Sequence, residues 1–204
     1  MKSVKLVASC IVLGSLAACG SSSNSSDSDV RNALNLIEKV NSGEITSIEA
    51  ADLPETAEMS GFIGVSMNDG EDDEILLGSV SVTADFGAGS LTGTADRFSI
   101  QEGRYNAEDE LIGGRRVASL NGELDVTGNI TGTTFDYDMS GELTGRVSGE
   151  DITADVALGG TGVFAHVDGN LTGLSIDPSG TAIISVGGDV VDVTLDEGIM
   201  IIEE

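Results

Sequence analysis

The sequence predicts an all-β fold, an antiparallel up-and-down β-barrel of about eight strands preceded by a leader, a tether and a short helix. Apolar residues recur at every second position over most of the chain beyond residue 53, and short turns rich in Gly, Asp and Asn separate these runs. Closure into a barrel removes the exposed edges that an open sheet of this kind would keep.

The first 18 residues have the layout of a signal peptide. Lys2 and Lys5 precede the apolar run Leu6–Ala18. This run is too short to cross about 30 Å of hydrocarbon, which needs about 20 apolar residues. We therefore expect residues 1–18 to direct export rather than to span a membrane.

The end of this leader has a more specific pattern. The residues Leu16-Ala17-Ala18-Cys19 resemble the lipobox of bacterial lipoproteins. The resemblance implies cleavage between Ala18 and Cys19 and lipid attachment to the Cys19 sulfur, and two or three acyl chains would hold the protein stably at a membrane. Gly20 stands where inner-membrane retention signals often carry Asp, which favours the outer membrane, on its surface or periplasmic face. The alternative is an ordinary secretory signal with an incidental cysteine.

Residues 19–29 are rich in Ser and predict a flexible tether. Residues 30–52 predict a short helix and a connector, with Asp29 as the helix cap and Gly43 as the stop signal. Its apolar residues recur at helical spacing: Val30, Leu34, Ile37 and Val40. This helix either packs on the following domain or extends the tether.

Residues 53–204 predict the barrel, and three runs show its alternation best. Their predicted inward residues are Leu76, Gly78, Val80, Val82, Ala84 and Phe86; Leu120, Gly122, Leu124, Val126 and Ile130; and Phe135, Tyr137, Met139, Gly141, Leu143, Gly145 and Val147. Glycines inside strands help a barrel to bend and to admit large neighbours. We expect this role for Gly93, Gly122, Gly141 and Gly145.

Four short segments predict hairpin turns that return each strand to the same face. They are SGED after Val147, GGTG after Leu158, DGN after Val167 and DEG after Leu195. The inward phase slips in two places, between Gly132 and Phe135 and between Leu171 and Leu174, and each slip predicts a bulge or an extra turn.

Two stretches of the predicted barrel resemble the barrel domains of transferrin-binding protein B-like surface lipoproteins. They are LPETAEMSGF (53–62) and the pair VTADFG (82–87) and GSLTGT (89–94). The resemblance implies an eight-stranded barrel behind a handle-like segment at a bacterial surface, and members of the family bind host iron proteins, haem carriers or other macromolecules. GTGVFAHVDGN matches the family's closing segment only approximately, and the chain has one barrel where the transferrin binders have two lobes. No binding residue is carried over.

His166 is the only histidine in the chain. If Val163 and Val167 point inward, as the GGTG turn predicts, His166 faces outward on its strand. A catalytic base would need a nucleophile and an orienting acid; Asp168 is near in sequence, but no Ser lies in a nucleophile turn. We predict no catalytic residue and keep His166 as a candidate ligand-binding side chain. Its possible partners in holding haem iron are Tyr105, Tyr137 and Met139.

The acidic run NDGEDDE, Asn68 to Glu74, offers hard oxygen ligands for Ca²⁺, but it does not match an EF-hand loop and more simply predicts a solvated hairpin tip. The pair Arg115 and Arg116 either binds a carboxylate partner or begins a strand near solvent. We predict no resident metal and no cofactor.

The net charge of −26 bounds the partners of this protein. Loss of Lys2 and Lys5 with the leader leaves seven cations against 35 carboxylates, a net charge of −28. Such a field excludes nucleic acid, because phosphates require Lys and Arg. The sequence therefore predicts a non-catalytic lipoprotein, anchored to the membrane by its lipid, that binds a protein or an iron- or haem-bearing ligand. The alternative is a structural or adhesive surface protein.

Overall fold

The computed structural model describes residues 26–68, 74–105 and 111–204. The predicted signal peptide, the lipid attachment site at Cys19, the cleavage point after Ala18 and the tether as far as residue 25 lie outside these residues. In chain order the elements are α1 (Ser26–Ser42), β1 (Ile45–Ser47), a 3₁₀ turn (Ala50–Asp52), β2 (Thr56–Asn68), β3 (Glu74–Asp85), β4 (Ser90–Tyr105), β5 (Leu111–Asn121), β6 (Leu124–Thr131), β7 (Thr134–Val147), β8 (Glu150–Val167), β9 (Asn170–Ile176), β10 (Ser179–Val186) and β11 (Asp189–Glu203).

The strands form one antiparallel sheet that closes into a ring. β5 and β6 both pair with β4 and β7 and share one position between them. β9 and β10 likewise share the position between β8 and β11. The ring closes where β11 pairs with β2, from Thr194 opposite Asn68 to Glu203 opposite Ser60. The described strands thus occupy eight positions, which confirms the predicted up-and-down barrel of about eight strands.

Large apolar side chains fill the interior, as expected for a ring of eight strands. The three predicted alternating runs are confirmed, because Leu76, Val126 and Met139 are each almost fully buried while their sequence neighbours are partly or largely exposed. Four aromatic rings meet inside. Phe135 lies 4.8 Å from Phe164 and 6.0 Å from Tyr137 between ring centres, and Phe86 contacts Phe164 edge to face at 5.0 Å.

Interior glycines allow the strands to approach closely. A Cβ atom on Gly93 would lie 2.1 Å from the Ser81 carbonyl oxygen, and one on Gly141 would lie 2.5 Å from that of Glu123. Gly145 is equally confined, 2.6 Å from the Ser119 carbonyl. Gly122 differs from the prediction, because it sits in the break between β5 and β6 with a φ of 117°.

Two of the four predicted turns, SGED and DGN, are confirmed in position, but each turn has two residues instead of the predicted four or three. Ser148 and Gly149 connect β7 to β8, and Asp168 and Gly169 connect β8 to β9; all four residues have positive φ. This conformation suits two-residue hairpins, because its twist matches that of the flanking strands.

The other two predicted turns are wrong. GGTG lies inside β8, an unbroken strand of 18 residues. Its glycines make room for aromatic rings rather than for a turn, since a Cβ on Gly162 would lie 2.3 Å from Phe135 Cζ. DEG lies inside β11, where Glu197 (φ 47°) and Gly198 form a bulge opposite β2.

Both predicted phase slips have simple explanations. The first is the two-residue turn Gly132–Thr133 between β6 and β7, which pairs Ile130 with Phe135 inside the barrel. The second is not a slip. Leu171 faces the core, whereas Leu174 faces outward and packs under α1, so β9 is apolar on both faces.

Helix α1 packs against the outer wall of the barrel and does not extend the tether. It begins at Ser26, before the predicted cap Asp29, and ends at Ser42 next to the predicted stop Gly43. The residues in this contact are Ala33, Leu36, Ile37 and Val40 of the helix with Phe62, Leu77, Leu174, Ile199 and Ile201 of the wall. An ion pair between Lys39 and Glu203 fixes the helix near its C-terminus.

The connector between α1 and β2 covers one end of the barrel, which we call the connector end. β1 pairs with the end of β8, and Ile48 and Leu53 pack against the core. The turns between β3 and β4, β6 and β7, and β8 and β9 lie at this end. The turns between β7 and β8 and between β10 and β11 lie at the opposite end.

Candidate interaction surfaces

His166 lies on the inner side of its strand, which corrects the outward placement. Because no turn interrupts β8, Phe164 faces the core and Val163 is 47 % exposed. His166 continues the Phe164 row and pairs with the core residue Leu171. It is partly exposed at the connector end, and within residues 26–68, 74–105 and 111–204 its side chain forms no hydrogen bond or ion pair.

Of the predicted partners of His166, those that the structure describes have other places in the fold. Asp168 accepts a hydrogen bond from the Glu44 backbone N–H at 3.0 Å, so its carboxylate holds the connector. Met139 is buried in the core. The side chain of Tyr105 lies outside the described part of the chain.

Tyr137 serves the core as well. Its hydroxyl contacts Ser175 Oγ at 3.2 Å, and Ser175 donates to the Thr161 carbonyl at 2.8 Å. Burial raises the pKa of Tyr137 to about 12, although the contact with Ser175 acts in the opposite direction. This hydroxyl is therefore a neutral member of an interior hydrogen-bond chain at any physiological pH.

The two predicted charge features have different outcomes. Residues 69–73 of the acidic run lie outside the described residues, and no group of three or more possible metal ligands occurs in the described part of the chain. Arg115 forms an ion pair with Glu102. Arg116 donates to Ser119 Oγ at 3.0 Å, while its Nε is buried without a partner. Both arginines lie near solvent, but they do not begin a strand as the simpler prediction holds, because β5 begins at Leu111.

A groove of about 360 Å³ lies outside the barrel, between α1 and the wall formed by β2, β3 and β4. Its wall combines the polar residues Ser60, Ser79, Ser81, Ser99 and Arg97 with the apolar residues Phe62, Leu77 and Val80. Asn32 and Leu36 form the helix side. The described lining includes no His, Tyr, Met or Cys, so it offers none of the side chains that usually hold haem iron.

The hairpin of β10 and β11 forms a second surface, at the end opposite the connector. Among the described residues, pairing of β11 with β2 starts at Thr194 opposite Asn68, and no described residue of β2 pairs with Asp189–Val193. Three of its large apolar side chains are open to solvent: Ile183 (48 % exposed), Val190 (65 %) and Val191 (48 %). Sequence reasoning missed this surface, although the adjacent apolar pairs Ile183-Ile184 and Val190-Val191 break the alternation and could have marked it.

Comparison with protein-family models, with curated proteins and with solved structures finds no significant match to this chain. Among the described residues, no helix is both long enough and apolar enough to cross a bilayer.

Proposed function

We propose that this chain is a lipid-anchored lipoprotein of the bacterial outer membrane whose transferrin-binding-protein-like barrel binds a macromolecular partner on its outer surface without catalysis. The packed interior carries this proposal. Leu124, Met139 and Leu195 lie deep in a core filled by side chains, so recognition belongs to the outer wall, the turns and the hairpin. In this arrangement the barrel is a rigid scaffold that presents the binding surface.

Charge favours a protein partner with a basic surface. The chain has a net charge of −26. On the described wall, Arg97, Arg115 and Arg146 already pair with the neighbouring carboxylates Asp96, Glu102 and Asp151. The remaining carboxylates supply an attractive field for a basic surface and speed its encounter with the barrel.

An iron- or haem-bearing ligand has weaker support. His166 is partly exposed at the connector end, yet Met139 and the Tyr137 hydroxyl are enclosed in the core. Among the predicted haem ligands whose side chains the structure describes, His166 is therefore the one open to a haem at the surface. The structural or adhesive alternative predicts no defined partner at all.

The anchor is tested by growing a bacterial host that expresses the full chain with an alkyne-labelled palmitate. We expect label in the wild-type chain, none in Cys19→Ser, and normal label in Cys10→Ser, the matched control at the only other cysteine. Fractionation should show the labelled chain in outer membranes and Cys19→Ser released. Equal labelling of both variants, or wild-type protein free of membranes, would contradict the anchor.

The haem version is tested by titrating the purified protein with haemin and following absorbance, with His166→Ala in parallel. No saturable shift is expected, which leaves a protein as the partner. A saturable shift that His166→Ala abolishes would instead make this a haem-binding lipoprotein. A shift that His166→Ala leaves unchanged would indicate haem adsorption elsewhere.

A further inference from the structure

The β10–β11 hairpin leaves one strand edge beyond the ring. Asp189–Val193 pairs with β10 on one side, from Asp189 opposite Val186 to Val193 opposite Ala182. On its other side, pairing with β2 begins at Thr194, and among the described residues no strand pairs with Asp189–Val193 there. Five residues of strand span about 17 Å, enough to pair with a short extended segment.

Several side chains along this edge are apolar although they are exposed to solvent. Val190 and Ile183 lie on the outer face as diagonal neighbours, since Val190 pairs with Ser185 and Ile183 pairs with Asp192. Val191 lies on the opposite face and pairs with Ile184. An added strand would cover apolar side chains on both faces of the hairpin.

Carboxylates surround these apolar side chains. Asp189 and Asp192 are exposed on β11 itself, and Asp155 stands beside Ile183 on β8. None of the three forms an ion pair with any residue in the described part of the chain. Charges on an edge strand also hinder pairing between like-charged copies, and a second copy of this chain would bring another net charge of −26.

We infer that the edge of Asp189–Val193 that faces away from β10, which no described strand occupies, binds an extended segment of a partner protein in which basic and apolar residues alternate. Main-chain hydrogen bonds would add the segment to the sheet, as in other cases of strand addition. Its apolar residues would cover Val190 and Val191, and its Lys or Arg side chains would meet Asp189, Asp192 and Asp155. The inference rests on the proposed function and names the site and the chemistry of the partner.

The test uses the full-length protein, purified in mild detergent, and an 11-residue peptide of alternating Lys and Val. Binding is measured by calorimetry, and hydrogen exchange follows the amides of 189–193. A peptide of the same sequence with every backbone amide N-methylated keeps the charge but has no main-chain N–H to donate from either edge, so it cannot extend a sheet. We expect saturable binding, added protection at 189–193, and at least about tenfold weaker binding of the methylated peptide.

A matched pair of protein variants separates the edge from the general acidic field. Val190→Lys with Asp192→Lys changes the edge, and Thr127→Lys with Asp125→Lys makes the same charge change at the same spacing on the exposed face of β6. The edge variant should weaken binding at least about tenfold, and the β6 variant less than about twofold. Circular dichroism confirms that both variants are folded.

Several results would overturn the inference: no binding, equal binding of the methylated peptide, equal weakening by both variants, or a dimer that occupies the edge. Each of them leaves the Cys19 labelling result untouched, so failure of the edge is separable from failure of the proposed lipoprotein function. Conversely, peptide binding is measured in solution, so its result does not depend on the lipid anchor.

Discussion

Gly78→Ala offers a stringent test of how the barrel interior is built. Gly78 faces the core on β3, opposite a bulge in β4 where Arg97 has a φ of 53° and two β4 residues oppose one on β3. The ring of Phe98 lies over Gly78. A Cβ atom at Gly78 would lie 2.3 Å from Phe98 Cε1 and 2.7 Å from Cζ.

The loss of stability expected for Gly78→Ala follows from the lack of space around the Phe98 ring. Phe98 is only 2 % exposed, so the ring has no open volume into which it can move. Overpacking of a core costs about 1–3 kcal/mol, and the short contact places Gly78→Ala near the top of this range. With a urea dependence of about 2 kcal/mol per molar, the unfolding midpoint should fall by about 1 M.

Urea unfolding followed by circular dichroism measures this shift, with Gly64→Ala as the control. A Cβ on Gly64 would meet only Leu77 Cδ1, at 3.6 Å. We therefore expect no loss of stability, or a gain below about 1 kcal/mol. In a Phe98→Leu background the cost of Gly78→Ala should shrink. An unchanged midpoint for Gly78→Ala, or an equal loss for Gly64→Ala, would refute the reasoning.

Two further perturbations test the core and the helix contact. Tyr137→Phe should lower the free energy of unfolding by about 1 kcal/mol near neutral pH, because one interior hydrogen bond is lost. Burial raises the folded-state pKa of Tyr137 to about 12 from 10.0. The neutral hydroxyl therefore makes its full contribution to the free energy of unfolding below pH 10, and this contribution declines by up to about 3 kcal/mol toward pH 12. In urea titrations at increasing pH, Tyr137→Phe should not show this part of the loss of stability. Equal losses of stability in Tyr137→Phe and in the wild-type protein would contradict the prediction. Ala33→Glu should detach α1 from Phe62 and Ile201, because Ala33 is only 5 % exposed. Limited proteolysis should then cut within 26–42, whereas the exposed-site control Asn35→Glu should resist; equal cutting of both would show that the contact does not hold the helix.

The sequence predicts this fold well wherever each strand has one apolar and one polar face. β6 and β7 are such strands, and their alternation alone identifies Val126 and Met139 as interior residues. Period-two alternation is informative here because each of these strands faces the core on one side and solvent on the other.

Prediction fails where a second layer covers the outside. β9 and β11 are apolar on both faces because α1 lies over Leu174 and Ile201, and single-sequence alternation cannot distinguish this from a slip. A glycine-rich segment also led to a wrong prediction. GGTG has the composition of a turn, but whether Gly162 bends the chain or accommodates Phe135 depends on a partner strand remote in sequence. The wrong turn prediction at GGTG also placed His166 on the outer side of its strand instead of the inner side.

The candidate edge at Asp189–Val193 also depends on pairing that composition does not reveal. Its apolar residues are visible in the sequence, yet their partners in the sheet follow from the register of β11 with β10 and, from Thr194 onward, with β2.

The pairing of the first and last barrel strands determines the order in which the molecule can assemble. The same final strand supplies Glu203 to Lys39, across 164 residues of chain, and Ile201 to the helix contact. Closing a loop of that size costs about 4.5 kcal/mol in chain entropy, which local hairpins avoid. The hairpins should therefore form first and the ring close last and slowly. Until the last ten residues are in place, β2 lacks its second neighbouring strand and α1 lacks Ile199, Ile201 and Glu203 of its binding site. Ring closure and helix docking should therefore appear as one late kinetic phase.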